Sequence, residues 1–189
     1  MAGRWVVILL LAGAAGHAVG ADTDLAGPRI VAVAESQLGR HDKEGGWIGL
    51  YHGHGQAWCS EFASWCYFQA GVPLSGGRWD LGLCLKEWNL ESAPRIIRYF
   101  RKHHRYYPIE DFPKGLTPRP GDYAFITNTD KTRSHSAIVK EVRPEPDGSE
   151  TLITIEGNNR GRAVAEYEYP DWQNNRVGEG VVGGIGVRN

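Results

Sequence analysis

The spacing of apolar residues divides the chain into a helical part and a strand-rich part. Ile30, Ala34 and Leu38 recur at intervals of four, which predicts a helix over residues 28–39 with Pro28 in its first turn. The first half of the chain is therefore expected to be mainly helical, with glycine-rich loops between the helices. Two further helices are predicted by the same signals, over residues 60–70 and 94–105.

Beyond Pro120 the apolar residues alternate with polar ones, as they do in strands. Five runs have this character: GDYAFIT, SAIVKEV, TLITIE, AVAEYEY and VVGGIGV. The segment RPEPDGSE, between the second and third runs, predicts a hairpin turn because Pro, Asp and Gly supply the backbone angles that a turn requires. Helices followed by an antiparallel sheet predict the α+β fold class.

Residues 1–20 have the layout of a secretory signal peptide. One basic residue, Arg4, precedes an apolar run over residues 5–15, and the segment ends in small residues at Gly20. The run is shorter than the ~20 apolar residues that span a bilayer. We therefore expect a cleaved leader and a secreted or periplasmic protein, with an uncleaved membrane anchor as the alternative. Residues 28–189 are then expected to form a single domain.

Composition and charge narrow the range of partners. The formal net charge is −1 and 41% of the residues are hydrophobic, which is typical of a globular domain. So small a charge gives no general attraction to nucleic acid or to an anionic membrane. We expect a monomer that binds no nucleic acid and has no stable membrane association once the leader is removed.

The chain has three cysteines, and two of them, Cys59 and Cys66, belong to the second predicted helix. Cys59 stands where the helix begins, and the free N–H groups of a first turn stabilise a thiolate. Cys66 lies two turns further on, ~10 Å along the axis, which exceeds the ~7 Å limit between disulfide-bonded Cα atoms. The spacing suits neither a metal pair nor a C-x-x-C redox site. Cys66 is expected to fill the core or, alternatively, to pair with Cys84.

A nucleophilic thiol needs a base and a group that orients the base. His135 opens the predicted strand HSAIVKEV, where a rigid sheet would hold it against a helix N-terminus. Glu156 ends the next strand, and Asn158 points to the same side if that strand continues, because side chains alternate. The predicted catalytic residues are therefore Cys59, His135, Glu156 and Asn158.

Four motifs together resemble the CHAP and NlpC-type cysteine peptidases and amidases, which have a papain-like fold. WCSEFASWCYFQAG resembles their nucleophile helix and RPGDYAFI the strand that opens their sheet, while SHSAIVKEV and ITIEGNN resemble the strands of the histidine and the third polar residue. The resemblance runs from about residue 28 to the C-terminus. Residues 75–115 have no counterpart in it and are expected to be an insertion that lines the substrate groove.

The resemblance implies an exported enzyme that hydrolyses an amide of peptidoglycan, at the sugar–peptide bond or within the stem peptide. Cys59 would attack the carbonyl and form a thioester, and His135 would move the proton. Glu156 would orient the imidazole, with Asn158 supporting or replacing it. The alternative is a catalytically degenerate module of the same fold, which binds wall peptides or a partner without turnover.

The remaining expectations concern the oxyanion and metals. The backbone N–H of Cys59, at the helix N-terminus, is expected to bind the oxyanion, and the side chains of Gln56 and Trp58 are further candidates for oxyanion or substrate binding. Some CHAP enzymes bind calcium in an acidic loop ahead of the cysteine, but the segment HDKEGG lacks that pattern. The H-x-H pair of His52 and His54 has no further ligands near it. We expect no metal and no other cofactor.

Overall fold

The computed structural model describes residues 23–46, 49–51, 57–77, 87–178 and 180–188. Within these residues the fold consists of three α-helices followed by a six-stranded sheet. The helices are α1 (Thr23–Glu35), α2 (Cys59–Gln69) and α3 (Ala93–Lys102). The strands are β1 (Tyr106–Pro108), β2 (Tyr123–Thr127), β3 (His135–Pro144), β4 (Glu150–Glu156), β5 (Ala165–Tyr169) and β6 (Val181–Gly186).

The sheet has the strand order β1-β6-β2-β3-β4-β5, and every neighbouring pair is antiparallel. The five predicted runs correspond to β2–β6, and the predicted hairpin joins β3 to β4. The α+β class is therefore confirmed. Strand β1 was not predicted, because three residues are too few to show an alternating pattern, and its place is set by pairing with β6.

The first helix begins earlier than its sequence pattern predicts. Since α1 starts at Thr23, Pro28 lies inside the helix rather than in its first turn, and that prediction was wrong. The helix also ends at Glu35, so Leu38 falls beyond it and is 42% exposed, although Ile30 and Ala34 are fully buried as expected. The regular spacing of apolar residues therefore predicted a buried helix face that extends one turn too far, to Leu38.

Alternation along the strands produces two apolar layers, one on each face of the sheet. Toward the helices, Tyr123 and Ile138 pack with the buried residues of α1, α2 and α3. On the opposite face, Ala137, Val139 and Leu152 pack with further buried residues from β2, β6 and the segment after β5. The sheet is therefore covered on both sides, and α2 lies against the first of these layers.

The segment over residues 75–115, which was expected to be an insertion, contains both α3 and β1. Ile96 and Phe100 of α3 are 0% and 1% exposed, and the Phe100 ring stacks on Tyr123 with centroids 5.6 Å apart. The described part of this segment is therefore integral to the core and to the sheet. That it lines a substrate groove stays a prediction.

Several predictions fall outside the described residues: the signal peptide, the histidine pair at positions 52 and 54, Gln56 and Cys84. Across the part of the chain that is described, no helix combines the length and apolar character needed to cross a membrane.

We predict that Phe100→Ala lowers the free energy of unfolding by about 3–5 kcal/mol, because it removes a buried ring from the contact between α3 and the sheet. Urea unfolding followed by tryptophan fluorescence measures the change. Leu38→Ala, on an exposed side chain, is the matched control and should change stability by less than about 0.5 kcal/mol. Similar losses in the two variants would contradict the integral role of α3.

Candidate active site

Helix α2 begins at Cys59, the residue that the sequence singled out as a nucleophile. Its side chain is 6% exposed, and the unpaired N–H groups of the helix start surround it with partial positive charge. The next residue, Ser60, lies with its Oγ 2.9 Å from the Oγ of Ser136, which in turn lies 3.0 Å from the Tyr123 hydroxyl. This buried chain of hydroxyls ties the helix start to the beginning of β3.

The imidazole of His135 stands at the first position of β3, one residue before the serine that contacts α2. Its Nε2 lies 2.9 Å from Oε2 of Glu156, and the two side chains are buried, with 5% and 0% exposure. Since Nε2 binds the carboxylate, Nδ1 is the nitrogen left to face the Cys59 thiol. The structure therefore brings Cys59, His135 and Glu156 together from α2, β3 and β4.

The Glu156 carboxylate is held by three neutral donors besides His135. The Thr154 hydroxyl and the Tyr169 hydroxyl each donate to Oε1 at 2.7 Å. The amide of Asn159 donates to Oε2, also at 2.7 Å. A buried carboxylate with this many donors is stabilised in its charged form and fixed in orientation.

The three groups shift one another's protonation. Burial opposes ionisation of Cys59, but the hydrogen bond and charge of His135 outweigh it and lower the pKa of the thiol. Burial also disfavours the imidazolium, yet the hydrogen bonds that it donates to Cys59 and Glu156 raise the pKa of His135 to about 9. For Glu156 the contact with His135 overcomes burial, and its pKa is lowered. The site therefore favours the pair of thiolate and imidazolium over the neutral thiol and imidazole, and it keeps the Glu156 carboxylate charged.

The second cysteine of α2 has the opposite character. Cys66 is a free thiol with no exposed surface, and burial raises its pKa well above the ordinary value. It packs in the layer between α2 and the sheet. It therefore fills the core, as the helical spacing predicted, and the alternative partner Cys84 lies outside the described residues.

The structure places Asn158 differently from the alternation argument. Strand β4 ends at Glu156, and Asn158 adopts a left-handed conformation with φ of 59°. The next residue, Asn159, makes the contact to Glu156, and it also accepts a hydrogen bond on Oδ1 from Nη2 of Arg133 at 2.6 Å. No period-two pattern identifies Asn159, because the turn after the strand sets its direction.

Of the two candidates for oxyanion or substrate binding, Trp58 is described and Gln56 is not. Trp58 precedes α2 and is 3% exposed, and its ring stacks on Tyr51 with centroids 5.3 Å apart. A Cβ added to Gly157 would lie 2.2 Å from this ring. The Trp58 side chain therefore belongs to the core beneath the turn that follows Glu156.

A second carboxyl, that of Glu61, lies close to the nucleophile and is not among the residues that the sequence predicts for the site. Glu61 is 5% exposed, and burial raises its pKa to about 9, so that it is neutral at neutral pH and adds no negative charge beside the thiolate. Among the described residues, no group of three or more His, Cys, Asp or Glu side chains is arranged to hold a metal ion.

A cysteine at a helix start, set against a histidine at the start of a strand in an antiparallel sheet, is a papain-like arrangement. A family model described as the CHAP domain matches residues 51–158, a range that includes Cys59, His135 and Glu156. The chain belongs to the CHAP domain family. Its members are generally hydrolases of the amidase or peptidase type that act on peptidoglycan or peptides. Comparison with curated proteins gave no match, and neither did comparison with solved structures.

We predict that iodoacetamide alkylates Cys59 with a midpoint pH below the ordinary thiol value of about 8.5. The thiolate is lost as pH falls through the lowered pKa of Cys59, while the imidazolium that stabilises it persists up to a pH of about 9. In His135→Ala, the imidazolium no longer offsets the effect of burial, which raises the pKa of Cys59. The midpoint of alkylation should therefore rise by about one pH unit or more. Mass spectrometry of labelled peptides gives both rates. Cys66 is the internal control and should stay unlabelled in the folded protein, and an unchanged midpoint in the variant would contradict the ion pair.

We predict that Asn159→Ala slows alkylation of Cys59 at about pH 6.5 more than Asn158→Ala does. Asn159 donates to the carboxylate that orients His135. Its loss should reduce the rate by about three- to tenfold, the factor that a typical net hydrogen bond of about 1 kcal/mol supplies, because its effect reaches the thiol only through Glu156 and His135. The same labelling experiment measures both variants. A larger effect at Asn158 would assign the supporting role to that residue.

Proposed function

We propose that this protein is a secreted or periplasmic cysteine hydrolase that acts as a monomer on amide bonds of peptidoglycan. The bond is either the sugar–peptide amide, between the muramoyl group and L-alanine, or one within the stem peptide. The observation that carries the proposal is the buried pair of His135 and Glu156, 2.9 Å apart, beside a cysteine at a helix N-terminus. Membership of the CHAP family supports the substrate class.

In the first half of the reaction, the Cys59 thiolate attacks the carbonyl carbon of the amide. A C–S bond forms, and the carbonyl oxygen gains the negative charge. When the C–N bond breaks, the imidazolium of His135 gives its proton to the departing amine. The product is a thioester on Cys59, with the amine released and His135 neutral.

In the second half, neutral His135 takes a proton from a water molecule while that water attacks the thioester carbonyl. The C–S bond breaks, the carboxylic acid leaves and Cys59 returns to the thiolate. Glu156 keeps Nε2 of His135 bound throughout, so that Nδ1 stays directed at the reacting atoms. Its role is orientation and stabilisation of the imidazolium rather than proton transfer.

The developing negative charge on the carbonyl oxygen needs donors that are fixed before the reaction. The backbone N–H of Cys59 is suited to this, since the first N–H groups of a helix have no partner within the helix. The partial positive charge of the α2 N-terminus acts on the same oxygen. A second donor is assigned to the residues before α2, with Gln56 as the candidate.

We predict that Cys59→Ala lowers hydrolysis of purified cell-wall sacculi by about 10³-fold or more, because no other group can form the thioester. Released material is quantified by the loss of turbidity, and mass spectrometry identifies the new amino termini. New L-alanine termini indicate an amidase, and termini deeper in the stem indicate an endopeptidase.

Cys66→Ala is the matched control for the loss of a buried thiol. It should reduce stability without abolishing turnover, since Cys66 packs in the core and has no role in the chemistry. Full hydrolysis by Cys59→Ala would overturn the proposed mechanism. Binding of sacculi by the wild-type protein without any new termini would favour a binding module instead.

A further inference from the structure

A cavity of about 260 Å³ lies beside the Glu156 network. Two of the residues that line the cavity, Asn159 and Tyr169, donate hydrogen bonds to the Glu156 carboxylate. Basic and phenolic side chains make up much of the rest, namely Arg133, Arg160, Arg162 and Tyr167. This arginine pocket therefore adjoins the active site without containing the nucleophile.

Three guanidinium groups converge on the arginine pocket. Burial and the charge of Glu156 raise the pKa of Tyr167, whereas all three arginines act to lower it, which places each of them near its phenol. Among the lining residues that the structure describes, Glu168 is the one acid, and Arg143 binds it, with Nη1 and Nη2 lying 3.0 and 3.2 Å from its oxygens. Positive side chains therefore outnumber negative ones in the described lining of the pocket, which suits an anion.

The loop that presents two of these arginines has an uncommon backbone. Asn158 and Arg160 have φ of 59° and 57°, in the left-handed region that residues other than glycine rarely occupy. Gly161 continues the same hand with φ of 72°. Such conformations persist where surrounding contacts maintain them, and they cluster at functional sites. The result is a pair of exposed arginines, Arg160 and Arg162, at the rim of the pocket.

The position of the pocket relative to the triad indicates which part of a substrate reaches it. Successive contacts join Cys59 to His135 and His135 to Glu156, and Asn159 in turn joins the Glu156 carboxylate to Arg133. His135 protonates the amine as it departs, so the amine half of the substrate lies on the imidazole side of the thiol. Chain that extends further in that direction approaches the arginines.

We propose that the arginine pocket is a subsite for the carboxylate of an acidic side chain on the amine side of the scissile bond. Arg160 and Arg162 bind the carboxylate at the rim, and Arg133 and Tyr167 line the interior. This inference rests on the proposed hydrolase function, because it takes its direction from the path of the leaving amine. It makes the enzyme selective for acidic peptides.

The test measures the binding of short peptides to Cys59→Ala protein, in which no turnover occurs. Tripeptides with a free amino terminus represent the amine product and carry glutamate at the first, second or third position. Each is compared with a glutamine match, and all have an amidated C-terminus. By titration calorimetry at low salt, glutamate should improve binding about tenfold at one position at least, which is the factor that one charge-assisted hydrogen bond supplies.

Two double variants in the same background separate the pocket from general electrostatics. Arg160→Gln/Arg162→Gln should abolish the preference for glutamate. Arg98→Gln/Lys102→Gln removes two exposed positive charges from α3 and should retain it. Arg162→Lys alone should keep part of the preference, because it preserves the charge but loses the forked donor geometry. Thermal unfolding verifies that each variant is folded.

Equal affinity for the glutamate and glutamine peptides overturns the subsite, and so does the absence of binding by either. A preference that survives in Arg160→Gln/Arg162→Gln, or that disappears in the α3 control, overturns it as well. Because the measurement requires no turnover, it is independent of the sacculus assay. If the hydrolase proposal is wrong, the sacculus assay will show either full hydrolysis by Cys59→Ala or no new amino termini with the wild-type protein. Neither result depends on how the peptides bind.

Discussion

The burial of the Glu156 carboxylate is the constraint on which the site depends. A buried charge without partners costs several kcal/mol, so the fold has to surround it with donors. These come from β3, β4, β5 and the loop between β4 and β5, and together they satisfy both oxygens. The fixed negative charge favours the imidazolium of His135, which in turn favours the thiolate of Cys59. The ionisation of the Cys59 thiol therefore depends on a carboxylate that it does not contact, because Glu156 acts on it through His135.

The second requirement is that a helix start and a strand start meet. His135 and Glu156 lie on the same side of their strands as Ala137 and Leu152, whereas α2 packs on the opposite face. The two faces come together at the beginning of β3, where Ser136 contacts Ser60. This contact sets the helix start beside the imidazole, so a small polar pair helps to position the nucleophile together with the apolar layer beneath it.

Parts of the fold far from the thiol support the same arrangement. Helix α3 covers the sheet through Phe100, and β1 pairs with β6 at its edge. The turn after Glu156 lies close to Trp58, which is possible because Gly157 has no side chain: a Cβ there would clash with the Trp58 ring. That turn carries Asn159 toward the carboxylate and continues to the arginine pocket. The core, the triad and the charged pocket are therefore linked through one short loop.

The sequence by itself determined the order of helices and strands and the two unlike cysteines, because these follow from local periodicity and from the geometry of a helix start. It also indicated His135 and Glu156, since both stand at strand ends that a hairpin brings together. It did not indicate Asn159, β1 or the position of Pro28 inside α1. Tertiary structure decided these: a left-handed turn, pairing with a distant strand and packing against the sheet depend on neighbours that are remote along the chain.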